Sequence, residues 1–565
     1  MKMKHFAALL LVLLLALGTS AQVLADEPDA EGELRDEPPK EGVFQEGSFS
    51  GPQTIPGEPM AVAESWEEDL KAMILEGWTA RKKEVDISSL RIPKSELNRY
   101  WDVLHTLQND HPELFYVGID SVWNNGTIFV RQDLTYRTIE GGLDKAISDF
   151  NAAANEALSQ IRGLTDPVEK ALVLHDWLVL NCEYNWYVGF HQSASAGNTG
   201  DAYVDSGMPW TAYGAMAKGD AVCAGYALAY KYLLGQAGIP CVYISSSEMN
   251  HAWNGVQING NWYQVDATWD DPVLNREGRV GHGYFLLSDE TFGTTGKHYG
   301  WDKIVTCNSK IYESDYVFVG NDYPVYCRNG NFYYIKPETA SNYSCISVYR
   351  TASLSSGGTR LANGLGLSNN AVVLWVDSRL YVLPGPFSNQ VNEKVLLVYD
   401  LDNGVTAQAG RFTHSPAASP DGLASAGSDD YPGLRYNAQT NEIEAVSCTR
   451  RQTVYSVPAV SLPGSWSDAS TGSAAAAVIG GSDEAAAVLW GVNAPGGLTL
   501  WAAYYDGNGK MVSAQVAGRD EIVPANISNV RPKMVLAYLD APRSYASAKL
   551  MLLTEEQTPI CAAAS

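Results

Sequence analysis

The run Asn250-His251-Ala252-Trp253-Asn254-Gly255-Val256-Gln257-Ile258 is followed by Asn259-Gly260 and then by Asn261-Trp262-Tyr263-Gln264-Val265-Asp266. Two strand-like segments joined by a two-residue Asn-Gly turn form a hairpin, because both turn residues tolerate positive φ and the type I′ turn matches the twist of paired strands. Such a turn fixes the register. Ile258 must face Asn261, and counting back pairs Trp253 with Asp266 and His251 with Thr268. His251 and Asp266 then share a face as diagonal neighbours, about 7–8 Å apart at the backbone, within reach of a carboxylate-to-imidazole hydrogen bond.

Upstream, Asp220-Ala221-Val222-Cys223-Ala224-Gly225-Tyr226 leads into a helical pattern whose apolar face is Tyr226, Ala229, Tyr230, Leu233 and Leu234, ending at Gly235 and Gly238-Ile239-Pro240. Cys223 therefore opens a helix. The free N–H groups and partial positive charge there favour a thiolate, taking a cysteine from about 8.5 toward roughly 3.5–7.5 when a cation is also near. Cys, His and Asp in this order supply a nucleophile, a proton carrier and the group that orients it. Acyl transfer also needs donors for the carbonyl oxygen: the backbone N–H of Cys223 is the first, and Tyr213, ahead of Trp210 and Tyr184, is the candidate for the second.

The motifs VCAGYA at 222–227, NHAWN at 250–254 and VDATWDDP at 265–272 resemble those of the bacterial secreted branch of the transglutaminase-like superfamily. HPELFYV at 111–117, LHDWLVLNCEYN at 174–185 and YFLLSDETF at 284–292 extend the resemblance over about 63–305. It implies an α+β papain-like core, with a helix carrying Cys packed on an antiparallel sheet. It also implies Cys223 as nucleophile, His251 as base and acid, and Asp266 as orienter. The separation of Cys223 from His251 is far shorter than the roughly 130 residues of papain itself. No cofactor is required. The implied substrate is a protein or peptide, cell-wall peptide among them, attacked at a peptide or glutamine carboxamide carbonyl. Hydrolysis is favoured over transamidation to a cross-link. The alternative from another class is an inactive module on a surface-binding or adhesion protein.

Other residues have plainer readings. The eight cysteines are an even number, so Cys223 could be half of a bridge, but its helix-start placement with His and Asp downstream favours the nucleophile. Cys327 and Cys345 are the expected disulfide, and Cys182 and Cys241 are expected as buried thiols. His175, His282 and His298 show no acidic partner along the chain and are read as structural. Asp220, Asp270 and Asp271 could be a calcium cluster, but acids after a strand also cap turns. No metal-ligand spacing, phosphate-binding loop or serine elbow is present.

The rest of the chain frames this module. Lys2, Lys4, the apolar run Phe6–Leu17 and the small residues ending at Ala25 read as a signal peptide over 1–25, so the protein is expected to be exported, secreted or held at the cell surface. The acid- and Pro-rich stretch 26–62 reads as a disordered tether. The catalytic domain spans 63–305, with helices over 66–75, 95–108, 143–161 and 167–180. Beyond it, short Tyr/Val runs between turns predict a β-rich domain at 310–466, a Ser/Ala/Gly linker at 467–487 and a small β-sandwich-like domain at 488–565. These β modules are available to bind polymer or protein. A net charge of −25 argues against nucleic acid as partner, and no segment is long and apolar enough to be read as a membrane span.

Overall fold

A computed structural model describes the backbone within residues 66–553, apart from 186–187, 190–200, 273–276, 341–342, 356, 363–364, 386–392, 403, 415–431, 449–450, 460–464, 467–473, 479–483, 490–498, 520–532 and 539–545. The expected signal peptide and tether lie outside the described residues. The chain divides into two units. One holds the chain through Asp271 together with Gly281–Gly320, and the other holds Pro272–Val280 with the chain from Asn321 onward. Residues 277–280 join the second unit because their backbone pairs there: Leu434 N–H donates to Glu277 O at 2.9 Å, and Val280 N–H to Asp322 O at 3.4 Å. Among the described residues no helix is long and apolar enough to cross a membrane.

In the first unit, helix α1 (Trp66–Thr79), strand β1 (Glu84–Asp86), helix α2 (Leu97–Asp110) and the hairpin β2 (Val117–Asn124) and β3 (Phe129–Tyr136) precede two long helices, α3 (Leu143–Gln160) and α4 (Pro167–Asn181). The start of α4 follows from sequence: Asp166 Oδ1 accepts the N–H of Val168 at 2.8 Å and Pro167 occupies the first turn, where no N–H is needed. Residues 171–179 of α4 are buried without interruption, so this helix is enclosed on all sides. The short parallel pair β4 (Glu183–Tyr184) and β5 (Asp220–Ala221) leads into helix α5 (Cys223–Gln236), which is also apolar around most of its circumference.

The sheet that follows is antiparallel, in the order β6 (Cys241–Ser246), β7 (His251–Ile258), β8 (Asn261–Val265). Its turn residues have φ of +50° at Asn259 and +83° at Gly260, and Ile258 stands opposite Asn261, as the Asn-Gly turn requires. Helix α5 packs on this sheet through Cys223, Ala227, Ala252 and Tyr243, and on α4 through Tyr230, whose hydroxyl donates to Ala171 O at 2.9 Å. Helix α6 (Asp289–Thr294), capped by Ser288, completes the described helices of this unit that bear on the site.

A buried polar quartet ties α4 to the segment after β8. His175 Nδ1 and His282 Nε2 both donate to Asp176 Oδ1, at 3.1 and 2.9 Å, and His175 Nε2 lies 3.2 Å from Asp270 Oδ2. Asp270 Oδ1 accepts the N–H of Tyr284 at 3.0 Å. Burial pulls His175 down, but the polar contacts and charges of Asp176 and Asp270 outweigh it and carry the imidazole up to about 9. Both carboxylates favour the protonated ring, Asp176 through a hydrogen bond and Asp270 through a close contact that lacks hydrogen-bond alignment.

The second unit is strand-rich throughout its described length. An eight-stranded sheet has the order β16-β15-β14-β13-β11-β10-β9, with β12 beside β11, where β9 is Tyr326–Arg328, β10 Asn331–Ala340, β11 Tyr343–Thr351, β12 Thr359–Ala362, β13 Leu367–Val376, β14 Arg379–Gly385, β15 Glu393–Asp400 and β16 Val405–Thr413. Successive residues of its central strands fall in different core clusters, Val372, Leu383 and Val398 in one and Val373, Val382 and Leu397 in the other. Both faces are therefore covered, which explains near-continuous apolar runs such as Ala371-Val372-Val373-Leu374.

Two expectations fail in this unit. Cys327 stands opposite Phe332, which stands opposite Thr351, whereas Cys345 stands opposite Glu338. The two cysteines are thus two strands apart and offset by six residues, about 20 Å at the usual strand rise, far beyond the roughly 7 Å limit for a disulfide. The stretch expected as a linker contains strands β21 (Ala474–Val478) and β22 (Glu484–Leu489), and β22 pairs with β25 (Lys533–Tyr538). The block after 488 is therefore not a self-contained sandwich. By composition the alanine-rich tract reads as a linker, but its backbone pairs in a sheet once a register partner is supplied.

The quartet predicts a pH dependence of stability. His175 has its folded value raised above the unfolded one, so its contribution is complete below about pH 6.5 and is lost as pH rises through about 9, with an upper bound of roughly 3 kcal/mol. Urea unfolding of the full chain, followed between pH 6 and 9.5, is expected to show a falling midpoint that His175→Gln flattens.

Candidate active site

Cys223 is the first residue of α5, its sulfur is a thiol, and the side chain is 0% exposed. It packs with Ala227 one turn on and with Ala252, the residue after His251. His251 begins β7. Its Nε2 donates to Asp266 Oδ2 at 2.6 Å, and the imidazole lies between the rings of Trp253 and Trp269, with centroids at 5.6 and 5.5 Å. Asp266 follows Val265, the last residue of β8, which pairs with Asn254; the ladder ends there, and the Asp266 N–H donates to Tyr284 O at 3.0 Å. The hairpin and the helix thus meet at Ala252, bringing the residues beside His251 onto the first turn of α5.

Asp266 is 0% exposed, and both oxygens are occupied. Oδ1 accepts the backbone N–H groups of Thr268 at 3.0 Å and Trp269 at 3.2 Å. Oδ2 accepts from His251 and also from His298 Nε2, at 2.9 Å. Burial alone would raise the carboxyl, but the charge and hydrogen bond of His251, and then those of His298, hold it well below the usual carboxylate range. Those partners favour the ionised carboxylate. His298 answers to opposite influences: burial lowers it, Asp266 raises it, and the net direction is down.

Two residues of the quoted motifs, Asn254 and Gly225, hold the site through contacts with distant segments. The amide of Asn254 donates to Ala227 O at 2.9 Å, bracing β7 against α5 one turn beyond Cys223. Gly225 lets the segment 209–211 lie directly on that turn: a Cβ there would stand 2.6 Å from Pro209 O and 3.0 Å from Thr211 O. Val222 N–H donates to the same Pro209 carbonyl at 3.0 Å.

That segment carries Trp210, which packs against Val222 and Ala224, the two neighbours of Cys223. The indole N–H is buried and has no acceptor among the described residues. Tyr184 borders the same cluster. Tyr213 is placed differently: its ring stacks on Phe115 at 4.6 Å, with Lys218 Nζ 5.7 Å from its centre, and it lines a cavity of about 250 Å³ with Ile139, Tyr203 and Asp220.

The acids considered for calcium do not converge. Asp270 is engaged by His175 and Tyr284, Asp271 accepts from Tyr226 Oη at 2.5 Å, and Asp220 accepts from Asn185 at 2.7 Å. Burial pushes the Asp271 carboxyl far up, Tyr226 pulling the other way, which disfavours the charged form a cation would need. The thiols of Cys182 and Cys241 are buried and pushed up by that burial, Cys241 to about 12. Of the three histidines read as structural, His175 and His282 belong to the quartet, and His298 lies on Asp266. Nothing along the chain pointed to His298, because its approach depends on how a loop packs.

Residues 155–267 match the family model of the Transglutaminase-like superfamily, a stretch that includes Cys223, His251 and Asp266. This segment is a transglutaminase-like core. The Kyphoscoliosis peptidase of Mus musculus is 23% identical over 152 residues, which cover 24% of this chain and 20% of that protein, so the chain spans a fifth of that relative. A solved structure titled "Crystal structure of a TGase" is 14% identical over 28% of this chain and 47% of its own, with a TM-score of 0.19. BamB from Moraxella catarrhalis is 11% identical over 43% and 84%, with a TM-score of 0.12.

The glycine argument yields a test. Gly225→Ala is expected to destabilise the first unit by about 1–3 kcal/mol through overpacking and to lower the thermal midpoint measured by circular dichroism, whereas Gly235→Ala, with open space at its Cβ, is expected to leave it unchanged or raise it.

Proposed function

We propose that this protein is a cysteine-dependent acyl-transfer enzyme acting on peptide or glutamine carboxamide bonds, with water as the favoured acceptor. The observation that carries the reading is the buried Asp266–His251 hydrogen bond on a strand packed against the helix turn that begins at Cys223. Because Asp266 takes Nε2, the nitrogen left to exchange a proton with the thiol is Nδ1. In the reaction, Cys223 Sγ attacks the carbonyl carbon, and the developing oxyanion is met by the Cys223 backbone N–H and the Trp210 indole N–H. His251 passes its proton to the leaving nitrogen, ammonia or an amine departs, and a thioester remains. His251 then takes a proton from water, hydroxide adds to the thioester, and the acid leaves with the thiol restored.

Support for Trp210 over Tyr213 is its orphaned donor beside Val222 and Ala224. A buried N–H without a ground-state acceptor is what a transition-state donor requires, since its hydrogen bond is then gained only as the oxyanion forms. We further propose export, on the leader-like segment 1–25, and a protein or peptide substrate.

Iodoacetamide at pH 6 separates this reading from an inert module. Raised thiols such as Cys241 react slowly there. Rapid labelling mapped to Cys223, slowed at least tenfold by His251→Ala, is expected, and labelling no faster than at Cys182 would sink the proposal. Trp210→Phe is expected to lower kcat by roughly 10²-fold or more with KM little changed. A glutamine-containing peptide, with and without a primary amine, reads the acceptor: conversion of the glutamine residue to glutamate with release of ammonia in both supports hydrolysis, and amine incorporation supports cross-linking.

A further inference from the structure

We propose that His298 is a positioning residue for the Cys223–His251–Asp266 site, a second imidazole whose Nε2 holds Asp266 Oδ2 in the orientation that His251 uses. The inference rests on the reading of those three residues as an acyl-transfer site and goes beyond it by assigning a fourth.

The geometry is specific. Asp266 Oδ2 is shared by His251 Nε2 at 2.6 Å and His298 Nε2 at 2.9 Å, while Oδ1 is taken by two backbone N–H groups. A carboxylate with a single partner on Oδ2 can turn about its Cβ–Cγ bond and carry that partner with it. With four donors on two oxygens its plane is set, and so is the ring plane of His251. His298 is itself held firmly. Its ring stacks on Phe292 with centroids 3.8 Å apart, and Trp269, Trp253 and Tyr284 close around it at 4.3, 4.9 and 5.5 Å; the neutral ring has one N–H, which Asp266 takes at Nε2, and the 2.8 Å contact of Nδ1 with Gly296 O becomes a second hydrogen bond only when the ring is protonated.

The loop that delivers it is pinned at both ends. Gly296 N–H donates to Thr291 O at 2.9 Å and His298 N–H to Phe292 O at 3.1 Å, which fastens the loop to α6. Gly296 is required there, since a Cβ would meet Phe292 O at 2.5 Å. On the far side Ser246 Oγ donates to Tyr299 O at 2.8 Å, and Ser246 pairs with Trp301, which joins the loop to the end of β6. The titratable groups around the ring are Asp266, His251 and Tyr284.

A residue that only fills space would be replaceable by another ring. The test therefore uses two full-length variants: H298F keeps the ring and has no donor, and H298Q keeps an N–H donor close to the place of Nε2. One readout is the pH profile of iodoacetamide labelling at Cys223. The other is the pH titration of the His251 imidazole, followed by ¹⁵N histidine labelling in a C223A background, which needs no activity.

The expected result is that H298F labels at least tenfold more slowly at pH 6 and that its His251 midpoint falls toward that of D266N, while H298Q stays within about threefold of the parent. The proposal is overturned if H298F labels and titrates as the parent does, if H298Q and H298F are equally impaired, or if the His251 midpoint rises in H298F, which would make His298 a competitor for Asp266. Should H298F lose the near-ultraviolet circular dichroism of the parent, H298M, which keeps bulk without a donor, takes its place under the same criteria. Parent labelling no faster than H251A, with the His251 midpoint still falling in H298F, would defeat the acyl-transfer reading and leave the positioning role standing.

Discussion

A buried carboxylate without partners would take up a proton, and Asp266 is kept ionised only by the four donors aimed at its two oxygens. The architecture around it can be read as the means of supplying them. The turn after β8 provides two backbone N–H groups, the start of β7 provides His251, and the loop after α6 provides His298. Each comes from a different element, so the carboxylate is where the hairpin, the 267–271 turn and the 295–301 loop are tied together. Losing any one donor would leave one of the two buried oxygens with a single partner.

The same segment is tied down a second time by the His175–Asp176–Asp270–His282 quartet, four residues beyond Asp266. The two clusters differ in purpose. In the quartet the charges are shared among groups that are all buried, and the outcome is a stable joint between α4 and the chain that follows β8. At Asp266 the charge is shared between the imidazoles of His251 and His298, which meet on one oxygen. Buried ion networks are weak evidence for stability by themselves, but here both sit on the same short segment, where orientation matters more than the strength of any one bond.

Much of the site was legible because its determinants are local. The Asn259-Gly260 turn sets a register that no long-range contact has to correct, so the placement of His251 and Asp266 on a common face could be counted off. Cys223 at a helix start follows from the apolar pattern after it and from the absence of any pattern before it. The helices α2, α3 and α4 were read to within a few residues for the same reason. The misreadings have a shared cause as well. Cys327 and Cys345 looked like partners by proximity along the chain, yet an intervening strand and a six-residue offset separate them. The alanine tract looked like a linker, because sheet membership there depends on β25, some fifty residues away.

What the sequence determined alone is the set of candidate groups and their order: a thiol at a helix start, an imidazole and a carboxylate across a tight turn, within a transglutaminase-like core. Turn geometry and helix periodicity act over a few residues, so one chain read in isolation contains them. Tertiary structure decided how those groups are supported. It placed Trp210 on the flank of Cys223 through the close approach that Gly225 permits, braced β7 against α5 through Asn254, and carried His298 onto Asp266. Each of these depends on two segments meeting in space with one atom to spare. Packing of that kind follows from the three-dimensional path of the chain and leaves no periodic trace in its letters.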